Sequence, residues 1–442
     1  MTKLLSFIRF SGNDGVSPER KKKGALMALA SAVLAGLGYV LQKSFIRGFA
    51  YMAVEIAFVL IFVFWGADAI SGFATLGVIP MQDHSLIMMV YGILALIILG
   101  AFVCFWIGNI VGSYHYYIRI TDERYEAKNM KEALSEWLHD KTALLFMTPG
   151  LIAVAAGILL PLIFSICIAF TDYDASHQPP AHVLNWVGIQ NFKDLLVLGQ
   201  YAKTFFGILG WTLIWTVASS VCPYALGILL AVLLNNPKLR GRKIFKVIYI
   251  LPWAIPAYIS LLVLQSMFDT GYGLINQILG LFGISNVPWL TQKWPARFAL
   301  ILVSVWTGFS FPMMLSENII KNIDKEIIEA ARLDGASSSR IFFSITLPLL
   351  MFSISPIFIM NLAGAFNNFN TIYLITGGGP LNINYQGAGD TDILITWLFK
   401  MTITNNKYNY GAALSLILFI LIAIFSIFNL RKTRAFKEDS LS

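Results

Sequence analysis

The sequence predicts an all-α polytopic membrane protein with eight transmembrane helices and an additional N-terminal interfacial helix. Three observations carry this. Of the 442 residues 57% are hydrophobic and 13% charged, against roughly 25% charged in a soluble domain. Apolar runs long enough to cross roughly 30 Å of hydrocarbon, about 20 residues as helix, recur along the chain. The basic residues collect in short segments beside those runs. The net charge of +8 therefore reads as a device for orientation in a bilayer rather than as a nucleic-acid footprint.

The spans are expected at 48–66, 86–108, 144–170, 205–234, 244–267, 297–316, 348–375 and 410–430. The stretch 24–41 is a further apolar segment, but it is short, carries Gly24, Gly36 and Gly38, and lies between Arg20-Lys21-Lys22-Lys23 and Lys43. A signal peptide is one reading of such a segment; orientation favours an interfacial or re-entrant helix. With a cytoplasmic N-terminus, the inside segments 1–47, 109–143, 235–243, 317–347 and 431–442 hold "RKKK", a mixed-charge stretch at 119–141, "KLRGRK" and "RKTR". The outside segments 67–85, 171–204, 268–296 and 376–409 are poorer in Lys and Arg. Counting 24–41 as a span puts "RKKK" outside or inverts every later loop, against the positive-inside rule. Both termini are then cytoplasmic. Residues 1–140 form an accessory region with two spans, and 141–442 a six-span core without internal repeats.

No constellation for covalent chemistry is visible. Cys104, Cys167 and Cys222 lie far apart in apolar stretches and read as small buried hydrophobes. The five histidines lack zinc-ligand spacing, and no phosphate-binding Walker sequence occurs. The chain is expected to be no enzyme and to hold no metal or cofactor. Glu55 sits inside a span, where a charge is expensive; a protonated or interhelically hydrogen-bonded structural role is favoured over a functional one. "LPWAIP" at 251–256 places two prolines in one span, which suits a gate or simple packing. "TGGGP" at 376–380 lacks the Lys-Ser/Thr of a phosphate cradle and reads as a flexible external turn.

The polar interruption "EAARLDGASSSRIFFSITLP" at 329–348 is patterned. Asp324 can cap a helix over Lys325–Leu333, and Gly335 can close it in the left-handed conformation. Ser337 or Ser338 can cap a second short helix carrying Arg340, Ile341, Phe342 and Phe343, with Pro348 following at the membrane surface. An ordinary amphipathic loop would look similar. The spacing adds more: Glu329-Ala330-Ala331, three residues, Gly335, nine residues, then Ile345-Thr346-Leu347-Pro348 resembles the signature of permease subunits of binding-protein-dependent ABC importers. The resemblance covers 141–442 and implies the type I ABC importer permease core. It also implies that 329–348 is a coupling helix entering a cleft on a cytoplasmic ATPase. Glu329 then meets the partner surface, Ala330 and Ala331 permit close approach, Gly335 supplies the turn, and Arg340 follows in the second helix.

Further stretches narrow the resemblance. "GYGLINQILG" with "WL" and Ala296, "WTGFSFPMML" and "FNNFNTIYLITGGGP" resemble the carbohydrate group of these permeases. "TDILITWLF", with the accessory spans, resembles the larger subunit of maltose and maltodextrin permeases. The short 171–204 segment departs from the enteric maltose permease, which has a large folded insertion there. That departure implies different binding-protein contacts, and a Gram-positive source with a lipid-anchored binding protein. The implied partners are a second homologous permease, two copies of an ATPase carrying ATP-Mg, and an extracellular binding protein, at the cell membrane. A sugar site needs ring faces and hydroxyl partners. Asn361, Gly364, Asn368 and Thr371 recur at i, i+3, i+7 and i+10 and are expected on one face of the 348–375 helix, near Phe366, Phe369 and Tyr373. Asn367 lies beside them, and Gly308 and Phe311 join by family match. Asn368 and Phe311 lead this set; interhelical hydrogen bonding is the competing role for the amides. The expected cargo is maltose or maltodextrin, with galacto-oligosaccharide or raffinose-type sugars as the alternative. An ion-coupled secondary transporter would need midplane carboxylates and a membrane-embedded enzyme a polar cluster; the core spans offer neither.

Overall fold

Long apolar runs leave the backbone few ways to satisfy its own N–H and C=O groups away from water, and the helix is the commonest. The computed structural model describes residues 17–121, 142, 146–197, 199–236 and 239–432. Among them no extended strand occurs; strand-like pairing is confined to isolated bridge residues, such as Leu381 with Gly389. The chain divides into two units. The first runs to Cys167 and takes in 177–186; the second comprises 168–176 and 187 onward. The expected boundary at 140–141, the 122–141 loop and both termini lie outside the described residues.

In the first unit, α1 (Pro18–Val33) and α2 (Leu37–Leu41) occupy the expected interfacial stretch, and the break at 34–36 leaves neither piece long enough to span. α3 (Phe45–Thr75) and α4 (Ser85–Ile120) follow. α1 runs antiparallel along the last turns of α4: Arg20 Nη2 donates to Ile118 O (3.0 Å), Ser113 Oγ to Met27 O (3.2 Å), and buried Asn109 donates to Ser31 O (3.0 Å). Asn109 Oδ1 in turn accepts from Gly36 N–H. Glu55 accepts a hydrogen bond from the backbone of Ala35 at 2.7 Å, the structural role expected of it: an N–H left open by the helix break meets a carboxylate in apolar surroundings. The loop after α3 is folded by Asp83, which accepts from Ile79 and Val78 N–H; those two bonds hold its carboxyl below the ordinary range. The 177–186 segment seals the same end, with Trp186 Nε1 on Ala74 O and its ring edge-on to Phe73. α5 (Phe146–Ile168) carries the chain out of this unit.

In the second unit, α6 (Gln190–Leu196) precedes α7 (Gly199–Leu234), on which α11, α12 and α14 pack. α8 (Arg242–Ala254) and α9 (Ala257–Met267) meet at 96°, and α10 (Leu274–Leu281) follows. α11 (Lys293–Gly308) and α12 (Ser310–Lys321) meet at 45°. After α13 (Lys325–Leu333) and α14 (Ser338–Phe366) come α15 (Phe369–Thr376), α16 (Leu394–Thr404) and α17 (Tyr408–Lys432). The core is built on α7: Trp211 and Trp215 pack with Phe268, Leu300, Val303, Ile372 and Ile393, and further along Tyr224 and Ile228 meet Leu350 and Ile354. Outward faces stay apolar, as Phe352 and Phe419 show, which suits contact with lipid rather than water.

Several expectations are corrected. Among the described residues five unbroken helices are long and apolar enough to span (α3, α4, α5, α7, α14), or seven if each bent pair counts as one. The eighth expected place holds α17, whose apolar part is Tyr408–Ile424, so eight is not established by length and composition. The 244–267 run is not one straight span, because Pro256 has no N–H to continue the ladder of α8 and instead caps α9 with an extended ψ of 126°. At the second bend Pro312 cannot donate to the Gly308 carbonyl. The 348–375 run is not one helix either: α14 stops at Phe366 and α15 starts at Phe369. Here Asn368 Oδ1 takes the Thr371 N–H (3.2 Å), a local bond that competes with continuing the helix. Finally, α14 starts at Ser338 and passes through Pro348, so no short second helix ends there. The missing Pro348 N–H is accommodated by a wider π turn over Phe342–Thr346.

Candidate functional site

The 324–341 segment has the local geometry its residues dictate. Asp324 Oδ1 accepts from Glu326 N–H (3.0 Å) and caps α13. The helix ends with Gly335 N–H on Arg332 O and Ala336 N–H on Ala331 O, both 3.0 Å, with Gly335 at φ +80°. This is the paired-bond C-cap that satisfies the last carbonyls. Ser337 Oγ accepts from Arg340 N–H (3.3 Å) and starts α14. No residue of α13 is buried; Leu333 is 89% exposed and Ile327 47%. Glu329, Ala330, Gly335 and Arg340 are exposed and Ala331 half-buried. The sequence-predicted coupling residues thus lie together on one protruding segment.

The residues expected to line a sugar site are not on one face. Asn361 stands on α14 and donates its amide to Tyr224 Oη at 2.7 Å and to Ile357 O at 3.1 Å. Gly308 lies against Pro223, where a Cβ would come within 3.2 Å. Pro223 and Tyr224 are neighbours on α7, so that turn ties Gly308 and Asn361 together. Gly364 is exposed with open space around it. The break separates these from Asn368, which caps α15, and from Thr371, which is buried on it. Asn367 at the break is exposed, and Phe311 on α12 is 39% exposed. The expected single face of Asn361, Gly364, Asn368 and Thr371 is therefore lost, because the helix that would have aligned them is two helices. Phe369, Tyr373 and Phe399 do form an aromatic group, with centroids 4.9–5.3 Å apart.

Other polar sites had little local signal. The TGGGP stretch at 376–380, expected to be a flexible external turn, opens a loop over 377–392 that is a bonded structure. Asp392, 1% exposed, accepts from Gly389 N–H (2.7 Å), Thr396 Oγ1 (2.8 Å) and Lys400 Nζ (2.6 Å). Arg297 gives two hydrogen bonds to Asp390 O (2.9 and 2.8 Å) and lies 4.2 Å from the centroid of the Trp211 ring. Trp211 Nε1 donates to Thr391 O, and Gln386 N–H to Thr204 Oγ1. These partners are far apart in the chain. The one readable hint was the four-residue spacing of Asp392, Thr396 and Lys400.

The comparisons decide what this arrangement belongs to. The family described as "Binding-protein-dependent transport system inner membrane component" matches residues 224–433. The chain is 34% identical over 430 residues to "Galactooligosaccharides transport system permease protein GanP" of Bacillus subtilis, covering 94% of this chain and 99% of that one. The chain belongs to this family. It is also 34% identical over 438 residues to "Maltodextrin transport system permease protein MalC" of Streptococcus pneumoniae, covering 97% of this chain and all of that one. With the maltose/maltodextrin permease protein MalF of Salmonella typhimurium, 35% identity extends over 253 residues, 56% of this chain but 49% of that protein. A crystal structure of a bacterial ABC transporter involved in alginate import shares the fold over 69% of this chain and 99% of its own, at a TM-score of 0.56 and 23% identity. As a member of the binding-protein-dependent transport family, the chain is a multi-pass ABC importer permease. Its matched region includes α13, both Asn361 and Asn368, and all of α14.

Proposed function

We propose that this chain is the larger of two homologous permease subunits in an ATP-driven importer of oligosaccharides, with maltodextrins as first cargo. One observation carries the cargo class: the chain matches, over nearly its whole length, two permeases named for oligosaccharide transport. Because both stand at 34%, galacto-oligosaccharides are the specific second reading. The exposed, unpartnered α13 supports the reading of 329–348 as the handle for an ATPase. In that role Ile327 and Leu333 enter the partner's cleft, Glu329 meets its rim, Ala330 and Ala331 allow close approach, and Arg340 marks the return into α14.

In the pathway, Phe311 keeps an open ring for a sugar face, and Asn367 an open amide. Asn361 spends its N–H on Tyr224 and offers a carbonyl oxygen. Asn368 and Thr371 hold the start of α15, while Gly364 leaves open space on α14 and Gly308 lets α11 lie close to Pro223. The chain contributes half of the route, and ATP-Mg belongs to two copies of the ATPase. An extracellular binding protein delivers the cargo, and both termini face the cytoplasm. Shifting such a two-state carrier from 1:99 to 99:1 takes about 5.5 kcal/mol of differential binding, which nucleotide-driven closure of the partners supplies.

The test is uptake in proteoliposomes holding both permeases, the ATPase and the binding protein, with labelled malto-, galacto- and raffinose-type sugars offered in turn. ATP-dependent uptake of maltodextrins, lost when the ATPase is omitted, is expected. Uptake that survives without the ATPase and collapses with an ionophore would make the chain a secondary transporter.

A further inference from the structure

At the end of α12 the chain buries a carboxylate that neither candidate site uses. Glu317 is 4% exposed. Its Oε1 holds Lys321 Nζ, one turn on, at 2.5 Å, and its Oε2 faces Lys246 Nζ of α8 at 2.8 Å, an ion contact rather than an aligned hydrogen bond. The two lysine side chains are 54% and 38% exposed, so water can take either when its bond opens. Two turns earlier on α12, Ser310 Oγ donates to Tyr249 O of α8 at 2.6 Å, and the Tyr249 ring lies edge-on to Phe309. α8 and α12 are thus joined at two levels, by a hydrogen bond at Ser310 and by an ion contact at Glu317.

What lies at the two ends gives the joint its meaning. α12 ends at Lys321 and α13 begins after three intervening residues, so α12 carries the exposed segment. α8 leads into the 96° bend at 255–256. A buried carboxylate is costly without partners and seldom stabilises more than an apolar pair of the same volume; its best-attested use is to fix register. We propose that Glu317 is a positioning residue that makes α8, and with it the α8–α9 bend, follow movements of α13. This rests on the reading of α13 as the ATPase handle.

The experiment has two arms. In the first, spin labels at the exposed Leu333 and Trp253 of the full-length chain report the width of the distance distribution between α13 and α8; this arm needs no ATPase. Wild type should give a narrow distribution, Glu317→Gln one at least twofold broader, and the swap Glu317→Lys with Lys246→Glu should narrow it again. In the second, the reconstituted complex is measured for retained ATPase, hydrolysis stimulated by loaded binding protein, and sugar moved per ATP. Glu317→Gln should retain the ATPase and hydrolyse within twofold of wild type, yet move at least fivefold less sugar per ATP, with the swap recovering half or more. An unchanged width or unchanged sugar per ATP in Glu317→Gln overturns the proposal. So does a swap that restores neither, or loss of the ATPase, since Glu317 would then be a support of the fold. A wild-type complex that shows no ATP-driven uptake overturns the importer reading instead, and the label widths still decide the joint.

Discussion

Gly335 and Gly378 have the same backbone angle, φ +80°, and opposite surroundings. A Cβ on Gly335 would meet nothing within 4 Å; one on Gly378 would lie 1.9 Å from Asp392 Oδ1 and 2.6 Å from Lys400 Nζ. The 377–392 loop is finished inside its own chain: the Asp392 carboxylate accepts from Gly389 N–H, Thr396 and Lys400, while Arg297 and the Trp211 indole donate to the backbone carbonyls of Asp390 and Thr391. The segment around Gly335 has its own caps and nothing else, with the apolar Leu333 and Ile327 in the open. The comparison teaches that one region is satisfied within the chain, whereas the other leaves apolar side chains in the open, as the proposed docking role requires. Substitutions in the first should lower stability, and those in the second should leave it unchanged while weakening association.

The largest effect is expected at Asp392. Asp392→Ala leaves the Lys400 ammonium and the Gly389 N–H without their partner, a loss of about 3–5 kcal/mol for breaking a buried pair. A clear drop in the thermal unfolding midpoint of the detergent-solubilised protein checks it; an unchanged midpoint would mean the loop is not held as described. Gly378→Ala should approach the same loss, since the methyl group displaces the same carboxylate.

Next comes Glu329→Lys, with no loss of stability but about 2–5 kcal/mol off association where a charge at a desolvated contact is reversed. The readout is ATPase stoichiometry after purification of the complex. Full stoichiometry with full stimulated hydrolysis would remove 329–348 as the handle. Gly335→Val follows. Open space around the Cβ leaves only backbone strain, about 1–2 kcal/mol, and this should appear as a partial loss of ATPase with the unfolding midpoint nearly unmoved. If Gly335→Val destabilised the chain as much as Gly378→Ala, the contrast between the two regions would fail.

The smallest effect separates two roles of Asn368. Asn368→Ala removes a helix cap worth about 1 kcal/mol, whereas Ser at this position keeps the cap and removes the amide. Transport impaired in both variants, with assembly intact, supports a contact with sugar. Impairment confined to the Ala variant assigns Asn368 to the start of α15 and takes it out of the pocket.

The 324–341 segment was legible from its residues because caps are local: Asp324 reaches two residues on, Ser337 three, and the bonds that close α13 at Gly335 span five residues at most. The membrane class was equally legible, since apolar length and scarce charge are properties of the chain itself. The end of the 348–375 run was not, although its deciding bond is also local. Asparagines in an apolar run can extend a helix or cap a new one, and hydropathy does not distinguish them. The expected shared face of Asn361, Gly364, Asn368 and Thr371 fell with it, because a shared face requires one continuous helix.

The sequence by itself determined that this chain lives in a membrane, which family it belongs to, and how the 324–341 segment is capped. Each of these depends on composition or on residues within a few turns of one another. Tertiary structure decided which polar side chains meet: Asn361 with Tyr224 across 137 residues, Arg297 with Asp390 across 93, and Glu317 with Lys246. In apolar surroundings each such group must find a partner, and several partners of either sign were available along the chain. Packing around α7 made the choice, because a hydrogen bond or ion pair forms where helices bring the atoms within about 3 Å, and spacing in the sequence carries no measure of that distance.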